Sequence, residues 1–339
     1  MQDPTRLIQN NRLRCKFEKN NTVLFFSLVD YRNNLFTSNE PEKILEFYNG
    51  FDNRDQLIQW MKERPKGSSY IHEVEGHKDI IVVIPTADFN GKYAINCREN
   101  IFKGLHMVFV ESGGKGDFYF NFAHNCNVGI RRAMEYNPKW IVVSNDDIDK
   151  VSDTENLVQN LKTLEKDEND VIFLKHSNGY HSTPVRLYYG STNTYFRFLL
   201  RKLFLTDPIL SIGSKLTFTL IDTSNRSHPR LAFYDRIKLI IFRSLFLTYS
   251  KVSFYQIGAF GILSSQLIQK LASNIYDETY INGSEDIDLS LRLLSCAAKI
   301  SFIDFKINFL VGETLGRGIS RDLRSVVGRI YLFYKVNKI

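Results

Sequence analysis

The sequence predicts an α/β fold in which helices flank a mostly parallel central sheet. Three apolar runs rich in β-branched residues indicate strands buried on both faces, namely DIIVVIPT from Asp79, HMVFVE from His106 and WIVVS from Trp140. The segment NVGIRRAMEYN, from Asn127, lies between the second and third runs and predicts a helix. Strands that alternate with helices form βαβ units, which build parallel sheets with right-handed crossovers.

Residues 1–77 are predicted to form an N-terminal extension of unknown role, because they are Asn-rich and charged. The run TVLFFSLVDY, residues 22–31, predicts a strand. RDQLIQWMKERP predicts a short helix that ends before Pro65, with an apolar face formed by Leu57, Ile58 and Met61. The turn-like stretch RPKGSS precedes the boundary, and the main domain is predicted to span 78–339.

Composition narrows the classes of partner. The chain of 339 residues carries a formal net charge of +7, which favours an anionic partner such as a nucleotide or a lipid head group. It has no basic and aromatic module typical of nucleic-acid binding, so no nucleic-acid partner is expected. No apolar run reaches the roughly 18 residues of a membrane span, and the polar N-terminus does not read as a signal peptide.

The cysteines are too scattered to suggest a metal site. No C-x-x-C spacing and no Cys/His cluster occurs, and the four residues are Cys15, Cys97, Cys126 and Cys296. This spacing predicts free thiols in a reducing compartment rather than a zinc site.

Polar residues follow each of the three predicted strands. These are the stretches 85–88, 111–114 and 145–147, the last being Asn145, Asp146 and Asp147. Ligands of parallel α/β sheets bind beyond the carboxyl ends of the strands, where carboxylates can share a divalent cation. Two interpretations are open for the 145–147 stretch: a cation site, or a strand-ending turn rich in Asn and Asp.

A second acidic cluster opens a predicted helix in GSEDIDLSLRL. Gly283 is read as a turn and Ser284 as the N-cap, and the first turn carries Glu285, Asp286 and Asp288. The buried face is predicted to hold Ile287, Leu291 and Leu294. Acids in a first turn complement the helix dipole, and one of them facing a cleft is suited to act as a general base.

Six segments in this order resemble family 2 glycosyltransferases with the GT-A fold, over about residues 78–339. They are VVIPTADFNG, VFVESGG, NFAHNCNVGIRRA, WIVVSNDDI, GAFGILSSQLIQKL and GSEDIDLSLRL. The resemblance implies a GT-A fold, Rossmann-like with a mostly parallel central sheet flanked by helices. It also implies a nucleotide-sugar-binding half at 78–150 and an acceptor half at 251–339.

The resemblance also implies roles for single residues. The nucleotide is expected to contact Pro85, Thr86, Asp88, Glu111 and Asn127, and Asn127 belongs to an N-x-G that opens a helix beside the donor pocket. The D-x-D position corresponds to Asn145, Asp146 and Asp147, which implies a metal on the diphosphate, bound chiefly by Asp147. Asp286 matches the catalytic base, whereas Asp288 and Arg292 match residues that support that helix.

The chain departs from the family pattern at three places. Asn145 replaces an acid, although its carbonyl oxygen still offers a metal ligand. The second strand ends in ESGGKG, which leaves open which nucleobase of the donor is preferred. The C-terminal stretch FLVGETLGRGISRD lacks the loop His that is frequent in the family. Glu313 is a candidate metal ligand there, Arg317 is a candidate diphosphate donor, and a loop that only covers the site is the third interpretation.

Residues 187–250 mix large apolar residues with Arg and Lys. YFRFLLRKLFL (195–205) and YDRIKLIIFRSLFLTYSK (234–251) are read as helices. They either lie on an anionic membrane surface or form the core of the acceptor half. With the resemblance to enzymes that use lipid-linked acceptors, this segment suggests a cytoplasmic protein that is peripheral at the inner face of the membrane.

The expected function is inverting, metal-dependent transfer of a sugar to a hydroxyl acceptor, such as a lipid-linked glycan. The donor is a nucleoside-diphosphate sugar, and the cofactor is Mn²⁺ or Mg²⁺. One alternative is a nucleotidyltransferase, although IPTADFNGKY lacks the Gly-rich basic loop expected after its first strand. The other alternative is a non-catalytic nucleotide-sugar-binding protein, suggested by Asn145 and the missing loop His.

Overall fold

The computed structural model describes residues 35, 38, 40–112, 120–150, 152–164, 168–175, 184–192, 216–222, 246–255, 257–272, 274–281, 283–310 and 319–336. Several predictions lie outside these residues. They concern the strand at 22–31, the segment 195–205, Cys15, Glu313 and Arg317.

The described strands are β1 Tyr70–Val74, β2 His77–Thr86, β3 Leu105–Glu111, β4 Trp140–Ser144, β5 Ile148–Lys150, β6 Val171–Leu174, β7 Pro184–Thr192, β8 Leu216–Asp222, β9 Phe246–Tyr255, β10 Phe260–Ser264, β11 Ile300–Ile303 and β12 Ile307–Phe309. The helices are α1 Pro41–Asn49, α2 Arg54–Glu63, α3 Lys92–Asn96, α4 Phe122–Met134, α5 Thr154–Thr163, α6 Ser265–Lys270, α7 Glu285–Ser295 and α8 Ile319–Val336. A π-helical turn, Cys97–Ile101, continues α3.

The central sheet has seven strands in the order β1-β3-β2-β4-β10-β6-β11. Five of them run in one direction, whereas β1 and β10 are antiparallel to their neighbours. The predicted α/β class and mostly parallel sheet are therefore confirmed, and the arrangement is compatible with a Rossmann-like fold. Two smaller sheets pair β12 with β5 and arrange β8, β7 and β9 in that order.

The three strands predicted from apolar runs are β2, β3 and β4. They are parallel neighbours, with Thr86 opposite Glu111 and Val83 opposite Val143. Their carboxyl ends therefore meet at one edge of the sheet, as the sequence predicts. β10 runs the other way, so its first residue, Phe260, pairs with Ser144 at the end of β4.

Alternate strand residues enter two cores on opposite faces of the sheet, because successive side chains of a strand point to opposite sides. One face buries Ile80, Val82 and Ile84 of β2 against α3, the π-helical turn and α5. The other face buries Ile81 and Val83 against α4, α6 and α7. Each fully buried aliphatic side chain contributes about 1.5–3 kcal/mol, so both helical layers are fixed to the sheet.

A third core joins the first two helices to the last. α1, α2 and α8 pack together with Tyr280, Ile281 and Ile287. The apolar face predicted for α2 is confirmed, because its buried residues are Leu57, Ile58 and Met61. The helix ends where Arg64 becomes extended, at ψ 140°, as the residue before a proline prefers.

The predicted domain boundary after residue 77 stays a prediction. The strands on either side of it, β1 and β2, both pair with β3. Both flank β3, and only Glu75 and Gly76 join them. The chain therefore crosses over the beginning of β3 at Gly76. A β-carbon at Gly76 would overlap the carbonyl group of Leu105, so only glycine fits this crossing without a backbone shift.

Three local predictions differ from the structure. α4 begins at Phe122, before the predicted Asn127, because Asn121 caps the helix by accepting the His124 N–H at 2.9 Å. Residues 246–251, read as helical, lie in β9, where the β-branched and aromatic run FLTYSKVSFY favours a strand. Leu294, placed on the buried face of α7, is 50% exposed, because that helix instead buries Leu289 and Leu293.

The structure also bears on membrane insertion. None of the described helices is long and apolar enough to cross a bilayer.

Candidate functional site

The ends of β2 and β4 are joined by a side-chain hydrogen bond. The Thr86 hydroxyl donates to Asp146 Oδ2 at 2.7 Å, and the Asp88 N–H donates to the Thr86 oxygen at 3.3 Å. The Ser112 N–H donates to the Thr86 carbonyl at 3.1 Å, which ties in the end of β3. The three strand ends that the sequence singles out therefore converge around Thr86.

The stretch after β4 is held by backbone hydrogen bonds and leaves one acceptor unsatisfied. The Asn145 N–H donates to the Ala259 carbonyl at 2.8 Å, and the Leu310 N–H donates to the Asp147 carbonyl at 2.9 Å. Asn145 Oδ1 is buried and has no hydrogen-bond donor within the described chain. Burial raises the pKa of Asp146, and the charge of Asp147 raises it further. A buried acceptor beside two acids is an environment that a cation would stabilise.

Glu111, the predicted contact to the base, is paired with a residue from β1. Its Oε2 lies 2.6 Å from His72 Nε2. The His72 ring stacks on Phe89 with a centroid distance of 4.4 Å and an interplanar angle of 6°. The Arg98 guanidinium lies 4.5 Å from the centroid of Phe89. Glu111 is thus positioned by a layered group of side chains at the rim of the sheet.

Pro85 and Asp88 lie on either side of Thr86. Pro85 is buried and sits opposite Val110 in the ladder. Asp88 is exposed and begins a turn, in which its Oδ1 accepts the Asn90 N–H at 2.8 Å. Both residues therefore belong to the same strand end, but only Asp88 is accessible.

Asn127 is fully buried, and its amide is engaged by the loop that precedes α7. Its Nδ2 donates to the Tyr276 carbonyl at 2.8 Å and to Glu278 Oε1 at 3.0 Å. Its Oδ1 accepts the Tyr276 N–H at 3.0 Å. Asn127 thereby fastens α4 to that loop, and its predicted nucleotide contact stays a prediction.

The second acidic cluster lies at the beginning of α7. Gly283 has φ 125° and Ser284 has φ 75°, so the predicted turn is present. Ser284 occupies the N-cap position, but its side chain makes no capping hydrogen bond. Asp286 Oδ1 accepts the Ile287 N–H at 2.8 Å. Burial raises the pKa of the neighbouring Glu285 to about 8, and the charge of Asp286 adds to the shift.

Asp288 is engaged in a buried ion-pair network. Its Oδ1 lies 2.6 Å from Lys335 Nζ, and its Oδ2 accepts from Arg292 Nε at 3.0 Å. The Tyr280 hydroxyl donates to the same carboxylate at 3.2 Å. These contacts fix α7 to α8, in agreement with the supporting role expected for Asp288 and Arg292.

One short segment connects the two acidic clusters. The Ala259 carbonyl accepts from the Asn145 N–H, and the Ile257 N–H donates to Ser290 Oγ at 3.0 Å. Ser290 Oγ in turn donates to the Asp286 carbonyl at 2.7 Å. The two clusters, far apart in sequence, are therefore attached to the same three-residue segment before β10.

The sequence predicts the protein ligands of a metal ion in the 145–147 stretch. In the part of the chain that the structure describes, no group of three or more His, Cys, Asp and Glu side chains is arranged to hold a metal ion. Asn145 Oδ1 and the carboxylates of Asp146 and Asp147 are nevertheless oxygen atoms, the type of ligand that Mg²⁺ and Mn²⁺ take together with water and phosphates.

Two contacts of the site are not predicted from the sequence. His72 lies in the segment assigned to an extension, and a lone His in YIHEVEG carries no motif. Ser290 bonds the Asp286 carbonyl of its own helical turn, as serines in helices often do, but it also accepts the Ile257 N–H from a distant segment. Only the three-dimensional structure pairs His72 with Glu111 and Ser290 with Ile257.

The chain was also compared with known proteins. No protein-family model matches it, and no relative is found among curated proteins.

The raised pKa of Glu285 predicts a pH dependence of stability. The folded pKa of about 8 lies above the ordinary value of 4.5, so the folded protein binds the extra proton. The associated stability is full below about pH 4.5 and is lost as the pH rises to about 8. We expect Glu285→Gln to flatten this part of the curve, which urea unfolding of both proteins from about pH 5 to about pH 8 measures. Parallel curves for the two proteins would contradict the assignment.

Proposed function

We propose that the chain is an inverting, metal-dependent glycosyltransferase of the GT-A type. It moves a sugar from a nucleoside-diphosphate sugar to a hydroxyl acceptor, for which a lipid-linked glycan at the inner face of the membrane is the best candidate. The connection of both acidic clusters to the segment 257–259 carries the proposal, because sugar transfer needs a diphosphate site and a base near one another. The mostly parallel sheet and the ordered motifs support the same assignment.

The donor site is assigned to the converging strand ends. Thr86 fixes Asp146, and His72 holds Glu111 so that its second oxygen remains able to accept from a nucleobase. Asp147, Asn145 and Asp146 are the residues that would hold Mn²⁺ or Mg²⁺. When bound, the ion neutralises charge on the leaving diphosphate.

The acceptor step is assigned to α7. Asp286 takes the proton from the acceptor hydroxyl, whose oxygen attacks the anomeric carbon from the face opposite the diphosphate. One displacement inverts the configuration, so no second nucleophilic carboxylate is required. Burial and the charge of Asp286 raise the pKa of the neighbouring Glu285.

A donor screen tests the proposal. UDP-, GDP- and dTDP-sugars are incubated with the protein, with and without Mn²⁺ or Mg²⁺, and released nucleoside diphosphate is measured. We expect metal-dependent release from one donor, and a loss of about 100-fold or more in Asp147→Asn. Asp149→Asn, an exposed acid two residues along, is the matched control and should retain activity.

The outcomes separate the alternatives. Release of pyrophosphate from a nucleoside triphosphate would favour the nucleotidyltransferase. Donor binding without release, in the presence of a broad set of hydroxyl acceptors, would favour the non-catalytic binding protein. Absence of donor binding would favour a turn rather than a cation site at 145–147.

A further inference from the structure

The segment between α2 and β1 lies along the first turn of α4. Arg64 Nη2 donates to the Phe120 carbonyl at 3.1 Å, one residue before the N-cap of the helix. Further along the segment, Ser69 Oγ donates to Asn125 Oδ1 at 2.6 Å. Arg64, which is 4% exposed, thereby lies at the positive end of the α4 dipole, and Lys66 lies in sequence between these two contacts.

The first turn of α4 offers hydrogen-bond donors without acceptors. Asn121 caps only the His124 N–H, and no acceptor for the Phe122 and Ala123 N–H groups is found among the described residues. Asn125 is 1% exposed, and its Nδ2 has no hydrogen-bond partner in the same part of the structure. Ser69 donates to Oδ1 of the same side chain, so the Asn125 amide lies between α4 and the segment that carries Lys66.

Lys66 is a half-buried cation that makes no hydrogen bond or ion pair within the described chain. Its pKa is lowered, first by burial and then by the nearby charge of Arg64. A half-buried cation near a second positive charge would be stabilised by an anion.

The neighbouring acids do not serve as the anionic partner of Lys66. Glu278 and Asp277 oppose the lowering of the Lys66 pKa, but each has a nearer partner. Glu278 lies 2.8 Å from His124 Nδ1, and Asp277 lies 2.9 Å from Lys335 Nζ. Lys66 and Asn125 Nδ2 therefore have no acceptor among the described residues.

We propose that Arg64, Lys66, Asn125 and the first turn of α4 form a binding site for a phosphoryl group. Phosphate offers several acceptor oxygens to charge-assisted donors, and a helix N-terminus presents its N–H groups and dipole to the same anion. The phosphoryl group belongs either to a nucleoside diphosphate or to a phosphorylated acceptor. The site also gives residues 64–69 a role in ligand binding, and it does not depend on the proposed reaction.

Isothermal titration of the full chain with inorganic pyrophosphate tests the site. EDTA is present, so that binding through a metal at the acidic clusters is excluded. We expect saturable binding that is about tenfold weaker in Lys66→Gln, since one charge-assisted contact is lost. Lys66→Arg should restore binding. Lys103→Gln removes the same charge from an exposed position outside the site and should bind like the wild type.

Two results would overturn the proposal. One is the absence of saturable pyrophosphate binding to the wild type. The other is an equal loss in Lys66→Gln and Lys103→Gln, which would indicate attraction by net charge alone. Because no turnover is measured and no metal is present, either failure is distinguishable from failure of the transferase proposal.

Competition identifies the source of the phosphoryl group. If UDP, GDP or dTDP displaces pyrophosphate from the wild type, the site holds the diphosphate of the donor. If pyrophosphate still binds at saturating nucleoside diphosphate, the site holds a second, phosphorylated ligand. In that case vesicles containing phosphatidic acid are the probe for a lipid phosphate.

Discussion

Asp286→Asn is expected to lower sugar transfer by about three orders of magnitude, within the range of general-base contributions. Asparagine has the same shape and can still accept the Ile287 N–H, which Asp286 accepts at 2.8 Å, so the beginning of α7 should keep its structure. It cannot take a proton from the acceptor hydroxyl. Nucleoside-diphosphate binding should be unchanged, because Asp286 is not assigned to the donor site.

Two quantities are measured. One is the initial rate of transfer from the donor identified by the screen, and the other is the affinity of the protein for the corresponding nucleoside diphosphate. Asp304→Asn serves as the control, because Asp304 is an exposed acid between β11 and β12. Transfer at the wild-type rate in Asp286→Asn would show that another group acts as the base. A parallel loss of nucleotide binding would instead assign Asp286 to the donor pocket.

Gly328→Ala is expected to destabilise the protein, although alanine usually stabilises the interior of a helix by about 1 kcal/mol relative to glycine. α8 approaches the turn before α7 so closely that a β-carbon at Gly328 would overlap the carbonyl oxygen of Gly283. The obstacle is backbone, which cannot rotate away. Overpacking of this kind typically costs about 1–3 kcal/mol. The substitution should therefore lower the free energy of unfolding instead of raising it.

The same substitution should also affect the site. Gly283 directly precedes Ser284 and the acids of α7, so a displaced α8 moves Asp286. We expect lower stability in urea unfolding and slower transfer at temperatures where the variant is fully folded. Ser325→Ala, about one turn earlier on α8, adds no atom and removes only the hydroxyl that accepts from Arg329 Nη2 at 2.7 Å, so it should change both quantities less than Gly328→Ala. A Gly328→Ala protein more stable than the wild type would contradict the close approach.

Much of the fold is predictable because apolar runs report burial directly. β2, β3 and β4 are buried on both faces, and such strands read as continuous β-branched segments. Their shared edge then follows from parallel pairing alone. The apolar face of α2 is equally local, since Leu57, Ile58 and Met61 recur at helical spacing.

The remaining features depend on contacts between distant segments. On the predicted buried face of α7, Ile287 is buried but Leu294 is exposed. The helix also buries Asp288 against Lys335 from α8, which no periodicity of α7 reveals. The beginning of α4 depends on one capping side chain, Asn121. The acids of the site are visible in the sequence, whereas His72 and Ser290 are visible only through their tertiary hydrogen bonds.

The crossing at Gly76 has a consequence for the order of folding. β1 and β2 run antiparallel and are joined by two residues, which is the length of a tight hairpin turn. As the chain leaves the ribosome, these two strands can pair with each other before β3 has been synthesised. Such a hairpin would have to open for β3 to enter between its arms, so we expect this local pairing to compete with the native one during assembly of the sheet.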